Sequence, residues 1–468
     1  MPKISRTSLS ASGMALDARR RSEGRYNSTT AMSVPTPVLL ATAVVWRILL
    51  TVALIGSVSS VIFLFLALAA AWRYRRLAQA AGRAIATVSE SSLPSVTMLK
   101  PVHGMEPRLR ENLESFFRQD YPDFEIVFGA RAADNAALRV VEEIHQRYPH
   151  VKCRTVLSGP PPWPNAKVFS LDKMIPSSSS DYFVITDSDV EVAPDFLRSV
   201  IPPLLDPKIG LVTCLYRGVP AAGFWSSLEA LGMSVEMSSG VMVADMMEGM
   251  RFALGPAMAT RRDALEKIGG MPALADYYSD DFVLGNLLWA AGYKVGLSQH
   301  VVRHVLIPQS FLRTFGHQIR WHKSTRYSRP KGHLGTGLTF AMPFGILGLV
   351  SAAALGHLGL GLGLLAAAIV NRMVQSIVVG WAVIGDPRSL RYCWLYPLRD
   401  LFGFVTWVGS YTSRNFLWRG EIYRFSAGGK IIPRNRLAEN TLADRPSSGD
   451  KFGASTSPPQ KEQALLRK

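Results

Sequence analysis

The chain is short of acid and nearly devoid of cysteine. Over 468 residues, 52 lysines and arginines face 35 aspartates and glutamates, a formal charge of +17. That excess fits nucleic acid, anionic lipid or phosphorylated substrates. The three cysteines, Cys153, Cys214 and Cys393, lie far apart. This excludes a disulfide framework and a cysteine-based metal spacing, and it fits free thiols in a reducing compartment. A glycine-rich P-loop is missing too, so a phosphate would need another cradle. Long apolar runs are absent from the middle of the chain, which marks residues 94–335 as a soluble unit.

Apolar residues are concentrated at its two sides. They make up 48% of the chain, high for a purely soluble enzyme. Residues 48–72, ILLTVALIGSVSSVIFLFLALAAAW, would reach ~38 Å as a helix, against a hydrocarbon core of ~30 Å. Arg73, Arg75, Arg76 and Arg83 follow this segment and only Arg47 closely precedes it. The bias predicts a retained anchor with the next domain in the cytoplasm. After residue 337 the apolar character returns. It predicts two spans, about 337–357 and 361–384, with a third over 394–411 weakened by Arg399 and Asp400. A helix lying at the interface is the alternative there. The C-terminal membrane region is thus 337–411, with two or three helices. Residues 1–35 read as a disordered basic tail and 439–468 as a second disordered tail. The expectation is a multi-pass protein, in an inner (plasma) membrane.

The soluble unit alternates strand and helix signals. Val96 to Leu99 is apolar and stopped by Pro101 and Gly104. Helix-like spacing follows over 108–119, then the strand FEIVFG, a helix over 138–148, a strand over 151–157 and a helix starting near Ala166. This rhythm predicts an α/β fold with a mainly parallel sheet. Such sheets bind ligands at the carboxyl ends of their strands. The strand DYFVIT ends there in Asp187 and Asp189. The two acids can hold a hard cation that carries a diphosphate, or they are a solvated turn in which Asp189 caps the next segment. Asp280 and Asp281 precede a helical run and offer a general base, or first-turn helix charges. Lys167 follows a proline-rich loop and can meet a diphosphate or solvent. HQIRWHKSTRYSRPK carries Arg320, Lys323, Arg326, Arg329 and Lys331 without an acid. It suits phosphate or a lipid surface, with Trp321 beside it. Residues 224–250 hold six methionines, which suit a loose groove for an acyl chain or sterol-like skeleton, or equally a core helix.

Together LKPVHGMEPRLRENLESFFRQDYPDFEIVFG, PNAKVFSL, ITDSDVEV, GLVTCLYRG, GPAMATRRDALEKIGG, YYSDDF and HQIRW resemble membrane-anchored family 2-type glycosyltransferases. The resemblance is to the ceramide glucosyltransferase family, close to the hopanoid-biosynthesis glycosyltransferases, and WRGEIYRF resembles its terminal motif. It implies a GT-A fold, a UDP-sugar co-substrate, a divalent cation (Mg2+ or Mn2+) and inversion at the anomeric carbon. By the same resemblance Asp187 is the metal- and diphosphate-associated acid, with Asp189 its partner, and Asp281 is the base. Arg320 and Trp321 match the RW signature, Lys167 an NPK-like lysine, and Asp134 is what remains of an early nucleotide-contacting motif. His317 departs from the signature's first position.

The expected activity is glucosyl transfer from UDP-glucose to a ceramide-like membrane lipid. N-acetylglucosaminyl transfer to a hydroxylated hopanoid and a processive polysaccharide synthase are the alternatives. A receptor without turnover would not need the spaced acids. A nucleic-acid partner would not explain the apolar segments, and no specific protein partner is expected.

Overall fold

The computed structural model describes residues 36–418 and 420–434. The expected tails, 1–35 and 439–468, lie outside them, as does Arg419 of WRGEIYRF. Eight strands build one mixed sheet: β1 Val96–Pro101, β2 Phe124–Ala130, β3 Lys152–Leu157, β4 Tyr182–Thr186, β5 Val190–Glu191, β6 Ile209–Pro220, β7 Ala257–Arg261 and β8 Lys294–Leu306. Their order is β3-β2-β1-β4-β7-β6-β8-β5. The β3-β2-β1-β4 half is parallel and β6 runs parallel to β8. β7 enters antiparallel between β4 and β6, and β5 caps the edge antiparallel to β8. The α/β expectation with a mainly parallel sheet holds.

The strands sit where the apolar runs predicted. β1, β2 and β4 are buried almost throughout, as strands covered on both faces must be. Helices Leu109–Phe117, Ala136–Arg147 and Ala166–Met174 alternate with them. Asn135 and Asn165 cap the last two with their side-chain oxygens, Asn135 accepting the Ala137 N–H and Asn165 those of Lys167 and Val168.

Two of the expected apolar segments, 48–72 and 361–384, fall in long helices, and the other two form short ones. One helix of 51 residues, Thr36–Ala86, contains the whole expected anchor. Among the described residues two helical stretches, Ala41–Ile85 and Leu358–Val383, are long and apolar enough to cross a membrane. The expected span over 337–357 yields only the helix Met342–Ala354, 13 residues. The one over 394–411 yields Tyr396–Gly409, 14 residues. At 1.5 Å per residue both reach only ~20 Å, short of a ~30 Å hydrocarbon core.

Arg399 and Asp400 turn inward, which explains how an apolar helix carries them. Asp400 Oδ2 accepts the backbone N–H groups of Ala341 and Met342 at the start of the short helix. Its other oxygen pairs with Arg372 at 3.0 Å, with both side chains only 3% exposed. Removing one partner of such a pair leaves the other charge buried without compensation. Asp400→Ala should therefore destabilise the protein by about 3–5 kcal/mol, read as a lowered thermal midpoint in detergent. Asp134→Ala, at an exposed loop position, should shift stability by no more than about 0.5 kcal/mol.

Candidate active site

β4 delivers its acids by ending. Thr186 is its last residue, and Asp187, Ser188 and Asp189 turn across the carboxyl edge of the sheet. The turn is held from below. Lys100 at the end of neighbouring β1 is completely buried and donates to the Asp187 carbonyl at 2.6 Å and to Thr186 Oγ1 at 3.2 Å. Burial lowers its pKa to about 7, with Asp187 and Asp189 opposing the fall. Ser188 Oγ donates to Glu106 Oε2 at 2.6 Å, so its role is to fix the turn. The Val305 N–H on β8 donates to the Asp189 carbonyl at 2.8 Å.

The second acidic pair opens the helix Asp280–Ala290. Lys167 lies between the pairs, 2.7 Å from Asp187 Oδ1 and 3.5 Å from Asp280 Oδ2. Burial alone would lower its pKa, but these carboxylates raise it and keep the ammonium charged. Asn165 ties the two loops together. Its oxygen caps the helix carrying Lys167, while its Nδ2 donates to the Tyr277 carbonyl at 2.9 Å and to Asp280 Oδ1 at 3.3 Å. Asp281 faces elsewhere. It accepts the Gly255 N–H at 2.6 Å and its neighbour Phe282 N–H at 2.8 Å. Burial, then the adjacent Asp280, push its pKa up to about 6, against the pull of Lys167. The loop before this helix is braced by the last described strands. Strands Asn415–Trp418, Glu421–Phe425 and Ile431–Pro433 form a small antiparallel sheet, and Tyr278 packs edge-on against Phe416, Trp418 and Phe425.

These groups line one cavity of about 1470 Å3. Asp187, Asp189, Lys167, Asp280, Asp281 and Trp321 all contribute to its wall. It extends along the methionine-rich segment, where Met233, Met237 and Met247 line it, and reaches Phe63 in the middle of the long N-terminal helix. Met233, Met242 and Met250 are also buried in the core, as the core-helix reading of that segment expects.

Asp134 and Arg320 are not brought to the cavity wall. Asp134 is exposed in the loop before the helix Ala136–Arg147 and is not part of the lining. Arg320 points away: its Nη1 donates to the Leu417 carbonyl at 3.3 Å. Lys323 and Arg326 on the same helix donate to the carbonyls of Asn415 and Ser410. Successive helical residues diverge by ~100°, so the face carrying Gln318, Trp321 and Thr325 meets the cavity while Arg320 and Lys323 clamp the returning chain. The cluster expected to bind phosphate is largely used to hold the C-terminal segment, although Arg329 remains in the lining.

Three residues not singled out from the sequence belong to the site: Lys100, Asn165 and His304. His304 on β8 places Nε2 3.4 Å from Asp189 Oδ2. Asp189 Oδ1 is buried without a hydrogen-bond partner among the described residues, and burial raises its pKa, with His304 opposing. Asp189, Asp187 and His304 supply oxygen and imidazole donors suited to a divalent cation. No cluster of three such side chains already has metal-site geometry among the described residues. An isolated PNAK or a histidine inside a strand carries no signal of these partners; only its place at the sheet edge could have suggested it.

The family model described as glycosyl transferase family 21 matches residues 52–431. Ceramide glucosyltransferase 3 of Caenorhabditis elegans is 24% identical over 352 residues, covering 74% of this chain and 75% of that protein. Ceramide glucosyltransferase 1 of the same organism is 22% identical over 350 residues, covering 73% and 74%. Among solved structures, a mannosyltransferase from Pyrobaculum calidifontis with GDP-Man and Mn2+ is similar at 18% identity and a TM-score of 0.42, over 75% of this chain and 98% of that one.

If Arg320 is a clamp, Arg320→Ala should speed backbone amide exchange in residues 415–418 about fivefold, the loss of roughly 1 kcal/mol. Hydrogen-exchange mass spectrometry reads this. Lys167→Ala should leave those amides unchanged.

Proposed function

We propose that this chain, which belongs to glycosyl transferase family 21, moves glucose from UDP-glucose to a ceramide-like membrane lipid with inversion at the anomeric carbon. The observation that carries the reading is the single cavity joining the four aspartates to Phe63 of a helix long and apolar enough to cross a membrane. A polar donor and an apolar acceptor can then meet within one enclosure, with the sugar-transfer site on the cytoplasmic side. The similarity to ceramide glucosyltransferases supports the donor and acceptor chosen.

The residues divide the work. Asp281 takes the proton of the acceptor hydroxyl as its oxygen attacks the anomeric carbon and the bond to the diphosphate breaks. Its pKa of about 6 suits this task, since it is largely ionised at neutral pH yet basic enough to accept a proton. The two backbone N–H groups on its oxygens fix the carboxylate's orientation. Lys167 faces the leaving diphosphate and is kept charged by Asp187 and Asp280. Asp187 and Asp189, with His304 beside them, would hold a divalent cation, Mg2+ or Mn2+, which offsets charge on the departing nucleotide. Trp321 contributes an apolar wall on which the sugar or lipid head can pack. A single displacement requires no covalent enzyme intermediate.

Asp281→Asn should reduce transfer by about 10²–10⁴-fold while UDP-glucose binding persists. Turnover near the parent value would instead move the base to Asp280. In the parent enzyme, kcat/KM should fall about tenfold per pH unit below an apparent pKa near 6, because protonated Asp281 cannot accept a proton. A rate that is flat from pH 5 to 8 would remove Asp281 from that role. Chelation should abolish transfer, and Mg2+ or Mn2+ should restore it. Asp187→Ala should cost more activity than Asp134→Ala. Product mass identifies the substrates: a hexosylceramide supports the reading, an N-acetylhexosaminyl hopanoid replaces donor and acceptor while leaving the catalytic roles, and a polymer replaces single transfer.

A further inference from the structure

Asp281 owes one of its hydrogen bonds to a segment outside its own helix. Residues 249–256 leave the methionine-rich helix Ser238–Glu248 at Gly249 and lead into β7. They carry the Gly255 N–H that meets Asp281 Oδ2. Phe282, Gly285, Asn286 and Trp289, spaced i, i+3, i+4 and i+7, share one face of the helix Asp280–Ala290, and that face lies along the segment. Phe282 stacks on Phe252 with ring centres 5.7 Å apart. Asn286 Nδ2 donates to the Arg251 carbonyl at 2.6 Å, and the Arg251 guanidinium lies 4.6 Å from the Trp289 ring centre. Gly285 lets the two backbones touch. A Cβ there would stand 2.5 Å from Ala253 N and from Phe252 Cα, and backbone atoms cannot turn aside as a flexible side chain can.

Thr213 pins the segment from the sheet. It lies on β6 and is completely buried. Its Oγ1 accepts the Leu254 N–H at 2.9 Å and reaches the carbonyls of Leu254 and Ala257 at 3.2 and 3.0 Å. Valine would fill the same space; the hydroxyl is what reaches the segment. Phe252, Ala253, Leu254 and Gly255 line the cavity, whereas Thr213 and Gly285 do not. These two act on the site only through the backbone between them.

We infer that Thr213 and Gly285 are positioning residues for the base: they hold residues 251–255 along the helix so that the Gly255 N–H stays on Asp281 Oδ2. This rests on the proposed role of Asp281 and adds what tunes it. A hydrogen bond to the charged form favours that form, so the Gly255 N–H lowers the proton affinity that burial and Asp280 raise. The titratable groups facing Asp281 are Asp280 on its own helix, Lys167 from the helix Ala166–Met174 and the Tyr216 phenol on β6. On the facing segment Arg251 is turned to Trp289, and His304 on β8 faces Asp189. Substitution at 213 or 285 removes none of these groups.

The test reads Asp281 itself. Full-length protein in detergent is titrated by infrared difference spectroscopy, with Asp281→Asn identifying the carboxyl band. The parent band should titrate near 6. In Thr213→Val and in Gly285→Ala it should titrate about one pH unit higher, because the carboxylate has lost a donor. Thr213→Ser keeps the hydroxyl and should titrate as the parent does. The two variants act from opposite sides of the segment, so one that folds suffices, and Thr213→Ala supplies a third. Transfer from UDP-glucose is followed in parallel. The ratio of kcat/KM at pH 8 to that at pH 6 should rise from about twofold to about tenfold, the change in ionised fraction for a one-unit shift. A merely structural defect lowers both rates alike and leaves the ratio.

An Asp281 titration unmoved in the folded variants overturns the inference, whatever the rates do. A shifted titration with an unshifted rate ratio supports the positioning and rejects Asp281 as the base. A shift in both supports both.

Discussion

The ammonium of Lys167 between Asp187 and Asp280 is the contact on which the site depends. One acid comes from the end of a strand and the other from the start of a helix nearly a hundred residues later. Bringing several carboxylates into one poorly solvated region raises their protonated fraction unless a cation compensates. Lys167 supplies that charge at contact distance for Asp187 and Asp280, and its pull also reaches Asp281, where burial and Asp280 outweigh it. Asp281 and Asp189 both have raised pKa values, Asp281 to about 6. Burial, with the adjacent Asp280, thus leaves Asp281 able to exchange a proton near neutral pH. Asn165 ties the lysine's own helix, which it caps, to the loop that carries Asp280.

The same economy governs the apolar end of the molecule. Arg372, Asp400, Arg399 and Glu236 all occur in or beside apolar helices, where exposure to lipid would be costly. Each is turned toward a partner in the protein. Asp400 also satisfies the first N–H groups of a helix too short to span a bilayer. The helical region beyond the catalytic unit therefore does more than anchor it. It closes one end of the cavity, and its last strands return to brace Tyr278 just before the second acidic pair.

Local signals were sufficient for the sheet. Apolar runs, turn residues and helix caps are written within a few neighbouring positions, so β1 to β4 and the helices between them fall where those signals place them. The paired acids were legible for the same reason: a strand that ends abruptly in DSD must present them at the sheet edge. The two short C-terminal helices mark the limit of hydropathy, which counts apolar residues and does not see which charges find partners across the fold.

Arg320 shows where local reading stops. Its adjacency to Trp321 is a fact of sequence, but neighbours on a helix point ~100° apart, and nothing nearby in the chain says which of the two faces will meet the cavity. The sequence by itself determined the strand order of elements along the chain, the acid pairs at their termini and the apolar lengths. Only the tertiary structure decided that Lys167 joins the two acid pairs, that Lys100 and His304 support the first of them, and that the basic helix grips strand carbonyls. Those relations depend on side chains separated by up to about two hundred residues. Their energies exist only once packing has brought them together and removed the water between them.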